Sequence, residues 1–259
     1  MPHRPIERSV AGLTPIDLNT LNTLAYLQTR TDRKYLLTID EAEELVDRFS
    51  GSCAALEIER TRSFRYETTY FDTPDYMFHK ATAYRRPLRY KLRVRRYLDT
   101  DLNMFEIKAK DRRNRTDKRR TEIASPVQPL TDPAVRSLLS VHRPDAPTAD
   151  LVASLTTRFR RATLVGRDAS AFDPTTDTEA DFRVTIDSDV HFDSADGRTI
   201  DFGRVVLESK SSTKACTVDR WLWSRGIRET PISKYCTPMA AFHPNLPSNH
   251  WHRTLARFF

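Results

Sequence analysis

The sequence predicts an α+β protein built on a closed antiparallel β-barrel of about eight strands with helices packed outside it. Three observations carry the prediction: segments in which charged and apolar residues alternate with period two, amphipathic stretches at helical spacing, and a Lys- and Arg-rich polar face that recurs from strand to strand. Within Ile16 to Leu27, Leu18, Leu21, Leu24 and Leu27 recur at steps of three, the spacing of a short helix that packs as a plug or cover. Arg30 to Leu37 reads as a strand. The next stretch, Thr38 to Phe49, is a helix: Thr38 is suited to N-cap it, acids fill its first turn and Gly51 lies just beyond. Arg65 to Thr73 is aromatic and β-branched and stops at Pro74, while Lys91 to Arg95 and Phe105 to Lys110 alternate in strand fashion. Ser125 to Ala153 reads as loop and short helices, with Leu138 and Leu139 as packing residues. Three further strands are expected at Thr157 to Val165, Phe182 to Val190 and Arg204 to Lys210, with a turn at Asp196-Gly197 before the last. A helix over Thr217 to Gly226 carries Trp221 and Trp223. There is no internal repeat, and the 259 residues read as a single domain with its core over about residues 28–242.

Composition narrows the class. Apolar residues make up 39% and charged residues 30%, a globular balance and not a disordered one. No apolar run approaches the roughly 18 residues of a membrane span, and the N-terminus lacks the apolar stretch of a signal peptide, so the expected compartment is the cytoplasm. Cys53, Cys216 and Cys236 are odd in number and far apart, which points to reduced thiols and not to a disulfide framework. Lys plus Arg total 42 against 35 Asp plus Glu, a net charge of +7, so an anionic partner is favoured.

The alternation says where that charge goes. Lys91, Arg93 and Arg95 share one strand face, opposite Leu92 and Val94; Glu106, Lys108 and Lys110 share another, opposite Phe105 and Ile107. Arg183, Thr185 and Asp187 oppose Phe182, Val184 and Ile186, and Val206, Glu208 and Lys210 oppose Val205, Leu207 and Ser209. A sheet with its charged face in water explains any one strand. It explains the set poorly, because like charges on neighbouring strands repel unless an anion lies between them. Closing the sheet would converge the cations on an axis and leave Leu92, Val94, Phe105, Ile107 and Ile186 to pack under the helices.

The motifs Tyr70-Phe-Asp-Thr, Lys91-Leu-Arg-Val-Arg-Arg-Tyr, Phe105-Glu-Ile-Lys, Arg183-Val-Thr-Ile-Asp, Val206-Leu-Glu-Ser-Lys and Ile232-Ser-Lys-Tyr, in this order from about Arg30 to Tyr235, resemble those of the VTC domain. This is the polyphosphate polymerase branch of the triphosphate tunnel metalloenzymes, a CYTH-like superfamily. The resemblance implies a tunnel barrel, ATP and inorganic polyphosphate as ligands, a divalent cofactor, Mn²⁺ or Mg²⁺, and transfer of the ATP γ-phosphate to a growing chain. By the same resemblance Lys34 is the first-strand phosphate-binding Lys, Arg93 and Arg95 the paired arginines that grip the triphosphate, and Lys108 and Arg183 further catalytic cations. Lys91, Lys110, Lys118, Arg161, Lys210, Lys234 and Tyr70 are expected to bind substrate, and Glu208, with Glu106, to hold the metal. Guanidinium groups suit phosphate oxygens, and a carboxylate suits a hard divalent ion that bridges phosphates.

Two positions depart from the pattern. The superfamily's hydrolases open with E-x-E-x-K, where this chain reads Arg30-x-Asp32-x-Lys34, which leaves Asp32 as a second candidate metal ligand. The eukaryotic polymerases carry a Lys three residues before the position of Lys234, and here Pro231 stands there. A triphosphate hydrolase and a non-catalytic polyphosphate-binding module are the alternatives to a polymerase. The eukaryotic membrane spans are not in this sequence, so any membrane coupling would need a partner protein, and no specific nucleic acid is expected.

The remaining features have plainer explanations. The run Arg112, Arg113, Arg115, Lys118, Arg119 and Arg120 could be a nucleic-acid patch but reads as a solvated hairpin or tunnel-mouth lip. His191 and His243 stand alone, and His250 and His252, which could share a strand face, have no nearby Cys or carboxylate to complete a metal site. Tyr70 and Asp72 fit either substrate contact or strand-end packing, while Phe159, Trp221 and Trp223 read as core. Neither G-x-x-x-x-G-K-[ST] nor G-x-G-x-x-G occurs, so cation density has to serve where a glycine cradle usually would.

Overall fold

A computed structural model describes residues 5–24, 31–110, 116–142, 150–167, 173, 175, 180–211 and 215–259. In chain order the elements are α1 (Pro5–Ala11), β1 (Thr14–Ile16), α2 (Leu18–Leu24), β2 (Thr31–Leu37), α3 (Ile39–Arg48), β3 (Cys53–Leu56), β4 (Phe64–Asp72), α4 (Met77–Ala83), β5 (Arg89–Tyr97), β6 (Leu102–Lys110) and β7 (Thr116–Glu122). After a 3₁₀ turn at Pro129–Thr131 come α5 (Pro133–His142), β8 (Val152–Gly166), β9 (Phe182–Ser194), β10 (Thr199–Asp201), β11 (Val205–Ser211), α6 (Thr217–Ser224), α7 (Cys236–Phe242) and α8 (His252–Phe258). The chain forms two compact units: Met1–Phe64 with Phe159–Val190 and Gly203–Thr230, and Arg65–Arg158 with His191–Phe202 and Pro231–Phe259.

In the first unit β11 lies between β2 and β9, antiparallel to both, and β8 follows β9. β3 pairs with the end of β8, and β1 runs parallel to β3. Tyr35, Leu37, Ala162, Leu164, Val184, Ile186, Val205 and Leu207 fill one face of this sheet and pack with residues of α1, α3 and α6. The α3 helix starts where expected: the Thr38 hydroxyl accepts from the amide of Glu41, and the Glu41 carboxylate accepts from the amide of Thr38. Its buried stripe is Ala42, Leu45 and Val46. Cys53, Cys216 and Cys236 are buried free thiols, and burial pushes that of Cys53 up to about 12.

In the second unit the order is β8, β4, β5, β6, β7, and β9 pairs with β10. Leu92, Val94, Phe105 and Ile107 are at most 2% exposed and share a core with Phe78 of α4 and Val135 and Leu139 of α5.

The fold is α+β with a large, mainly antiparallel sheet, as the alternation predicts. The expected closed barrel is corrected. Among the described residues β2 pairs only with β11 and β7 only with β6, so neither edge is sealed by a further ladder. The β7 sequence Thr-Asp-Lys-Arg-Arg-Thr-Glu is charged and largely exposed, which is how proteins keep an edge strand from recruiting a partner.

Local structure refines several of these expectations. The leucine-spaced segment is helical as expected over Leu18–Leu24, where the Asp17 carboxylate accepts from the amides of Asn19 and Thr20 and starts α2; Ile16, before it, ends β1. Asp196-Gly197 turns β9 into the short β10, Gly197 taking φ +87°, and the chain then continues to β11. Lys118, Arg119 and Arg120 lie in β7, the largely exposed second strand of the antiparallel β6–β7 hairpin, as expected; Arg112, Arg113 and Arg115, like Arg30 and Leu27, fall outside the described residues. His252 opens α8 and His250 precedes it in a turn, so the two share no strand.

One buried carboxylate joins α6 to the sheet. Asp219, fully buried, accepts from the Tyr35 hydroxyl at 2.8 Å, the Ser209 hydroxyl at 2.6 Å, the Cys216 amide at 3.0 Å and Arg33 Nη1 at 3.2 Å. Replacing it removes the acceptor of two buried hydroxyls and one partner of the half-buried Arg33, which keeps Glu229 at 3.2 Å. Asp219→Ala is expected to lower the unfolding free energy by about 3 kcal/mol, measured by urea denaturation.

Candidate functional site

Each unit gathers cations around carboxylates on the polar face of its sheet, one in the second unit and three in the first. In the second unit the register sets Tyr70 beside Arg93, Arg93 beside Glu106 and Glu106 beside Arg120, with Lys91, Lys108 and Lys118 aligned two residues away. Glu106 is 1% exposed and binds Arg93 through Nε and Nη2, both at 2.6 Å, Lys118 at 2.9 Å, and Arg95 at 3.8 Å. Burial pushes the Glu106 carboxyl up, but Arg93, Arg95 and Lys118 together hold it well below the usual carboxylate range. Burial pushes the Lys118 ammonium down; Glu106 pulls it back, and Arg93 and Arg95 oppose that pull. One carboxylate thus serves three cations.

Arg93 also donates to the Tyr70 hydroxyl at 3.3 Å, and Lys91 Nζ donates to the Ser233 hydroxyl at 3.0 Å. Lys108 is exposed, and Lys110 and Lys234 are half-buried. Thr157 donates to the Lys234 carbonyl at 3.2 Å. Sequence reasoning missed Arg120, whose signal was its two-residue spacing from Lys118, and Ser233, which sits inside a quoted motif.

In the first unit Lys34 stands opposite Glu208 at 4.0 Å, and Lys210 opposite both Asp32 and Arg183. Glu208 also pairs with Lys210. Arg161 grips Asp187 with two bonds, 2.6 and 2.8 Å, and lies over the Phe159 ring. Burial raises the Glu208 carboxyl, and Lys34, Lys210 and Arg161 outweigh it, leaving the group well below its usual range. Here Asp32, Asp187 and Glu208 stand against Lys34, Arg161, Arg183 and Lys210, a closer balance than in the second unit.

A divalent ion needs about six oxygen ligands, and among the described residues no group of three or more His, Cys, Asp or Glu could hold one alone. Glu208 nevertheless suits a metal carried in by phosphates, since one carboxylate plus phosphate oxygens and water makes a full shell. Its side chain is 21% exposed against 1% for Glu106.

Residues 29–243 match the family described as the VTC domain. The chain belongs to the VTC-domain family. The match spans every quoted motif, from Lys34 to Tyr235. Among solved structures, this VTC domain is similar to a Pyrococcus horikoshii protein at 13% identity and TM-score 0.45, over 83% of this chain and 98% of that one. It is similar as well to a Hippeastrum protein, HpAC1, described as having a dominant triphosphatase activity, at 15% identity and TM-score 0.46, over 81% and 95%. A search of curated proteins found no match. Among the described residues of the VTC domain no helix is long and apolar enough to cross a membrane.

The depressed Glu106 group fixes a pH dependence. An unfolded glutamate takes up its proton near about pH 4.3, and the folded one only well below that. The ion cluster's contribution to stability is therefore complete above about pH 4.3 and lost as pH falls beneath it toward the folded value. Below that point the urea midpoint is expected to fall more steeply for the wild type than for Glu106→Gln; parallel curves would remove this assignment.

Proposed function

We propose that this VTC domain is a metal-dependent phosphotransferase that moves the γ-phosphate of ATP onto an inorganic polyphosphate chain. The observation that carries the reading is the Arg93–Glu106–Lys118 cluster, in which three cations, with Arg95, converge on a single buried carboxylate. Such a cluster is short of negative charge, and a phosphate chain supplies it.

In this reading Arg93 and Arg95 grip phosphate oxygens with their forked donors, while Lys34, Lys91, Lys108, Lys110, Lys118, Arg161, Arg183, Lys210 and Lys234 supply further positive charge. Tyr70 orients Arg93 through its hydroxyl. Glu106 orients the arginines, and Glu208 holds a Mn²⁺ or Mg²⁺ together with phosphate oxygens; bound there, the ion would neutralise charge on the triphosphate. The terminal oxygen of the acceptor chain forms a bond to the γ-phosphorus as the bond to the β–γ bridging oxygen breaks, and ADP leaves. A loose phosphoryl-transfer transition state needs alignment and charge neutralisation, so these residues act without a covalent nucleophile.

The test is an assay of purified protein with ATP, Mn²⁺ and a short polyphosphate primer, followed by phosphorus NMR. Chain growth with stoichiometric ADP is expected, with Arg93→Ala slower by about 10²-fold in kcat/KM and Glu208→Gln needing more metal for half-maximal rate. Orthophosphate without chain growth would replace the polymerase with a hydrolase. Saturable polyphosphate binding without turnover would replace it with a binding module.

A further inference from the structure

The second unit holds a buried hydrogen-bonded link that none of the proposed chemistry uses. Asp72, fully buried, has all its acceptor capacity taken: Oδ1 accepts from the amides of Thr73 and Phe78, both at 2.8 Å, and Oδ2 accepts from the His79 amide at 2.9 Å and from the Tyr235 hydroxyl. A carboxylate with four donors has none of its lone pairs left for a metal or a substrate proton. Its role is to tie the start of α4 to Tyr235.

Tyr235 passes the constraint on in two directions. Its ring stacks on Tyr70, centroids 5.1 Å apart, and Ser154 donates to the Tyr70 carbonyl at 3.1 Å while also contacting the Tyr235 hydroxyl. The Tyr70 hydroxyl in turn receives Arg93, which Glu106 holds from the other side. Along the chain, Tyr235 follows Lys234, whose carbonyl is held by Thr157, and Ser233, whose hydroxyl receives Lys91 and the Cys236 amide. Two of the phosphate-facing groups in the proposed reading, Arg93 and Lys91, are therefore oriented through partners that Tyr235 anchors, and Lys234 is its sequence neighbour.

We propose that Asp72 and Tyr235 are positioning residues: a buried latch that sets Arg93, Lys91 and Lys234 in register for phosphate. The proposal rests on the phosphate-binding reading above. Loss of the latch spreads the cations and weakens phosphate binding by more than it weakens the fold.

The experiment compares Tyr235→Phe with Tyr35→Phe. Each removes one buried hydroxyl that donates to a buried carboxylate, but Tyr35 and its partner Asp219 lie on the apolar face of the first unit's sheet. Thermal unfolding gives the cost to the fold, and calorimetric titration with inorganic tripolyphosphate, well below both melting temperatures, gives affinity. Tyr235→Phe is expected to bind tripolyphosphate about tenfold more weakly and Tyr35→Phe within about twofold of the wild type, with both losing stability. Equal affinities for the two variants, or a Tyr235→Phe affinity unchanged from the wild type, would overturn the latch.

Amide exchange across residues 231–237, read by mass spectrometry without ligand, separates this proposal from the function. If the wild type binds no tripolyphosphate, the phosphate-binding reading fails and exchange decides the latch. Faster exchange there in Tyr235→Phe but not in Tyr35→Phe supports it, and unchanged exchange overturns it.

Discussion

Placing several fixed cations side by side on a sheet costs free energy that folding must offset, and the means chosen here is a smaller number of carboxylates set among them: Glu106 in one cluster, Glu208 and Asp187 in the other. Glu106 and Glu208 each stand in an environment that would neutralise an isolated carboxyl, and each stays ionised because Lys and Arg surround it. Taking the carboxylate away would leave buried cations facing one another. Keeping fewer carboxylates than cations leaves each cluster folded with a net positive charge.

The rest of the architecture protects that arrangement. The strand faces opposite the cations are packed to near-zero exposure in both units, with Leu92, Phe105 and Ile107 in one core and Tyr35, Ile186 and Leu207 in the other. Because the side-chain period of a strand is two, a slip of one residue would bury the cations and expose the core, so the apolar packing fixes the register of the charged face. Asp219, against the first unit's core, and Asp72, beside Tyr70 on the second unit's polar face, are fully buried carboxylates. Each is saturated with donors, which is what allows a carboxylate to persist there.

Much of this was legible from residue alternation. The strands that carry Lys34, Arg93, Lys108, Arg183 and Glu208 lie where period two placed them, and the capping box at Thr38 and Glu41 is written in the sequence. The short strands β1, β3 and β10 were not legible, since three or four residues give no period to read and their pairing is decided by β8, β9 and each other. Closure was not legible either. It depends on whether two edges meet, and the charged pattern of β7 reads equally as a lumen-facing strand or as an edge kept open. The link between Asp72 and Tyr235 joins residues 163 positions apart, and local pattern reading has no signal for such a pair.

The sharpest limit of pattern reading is the pair Glu106 and Glu208. In sequence both are single carboxylates on a Lys-rich polar face with a Lys two residues on, and nothing local separates them. Their surroundings do. Glu106 is held by two arginines and a lysine and is closed to solvent, so its negative charge is already spent on orienting guanidinium groups. Glu208 pairs with two lysines, Lys34 and Lys210, and its side chain keeps 21% exposure. A carboxylate enclosed by forked guanidinium groups has its charge matched in fixed directions, whereas one paired with ammonium groups meets point charges of no fixed direction.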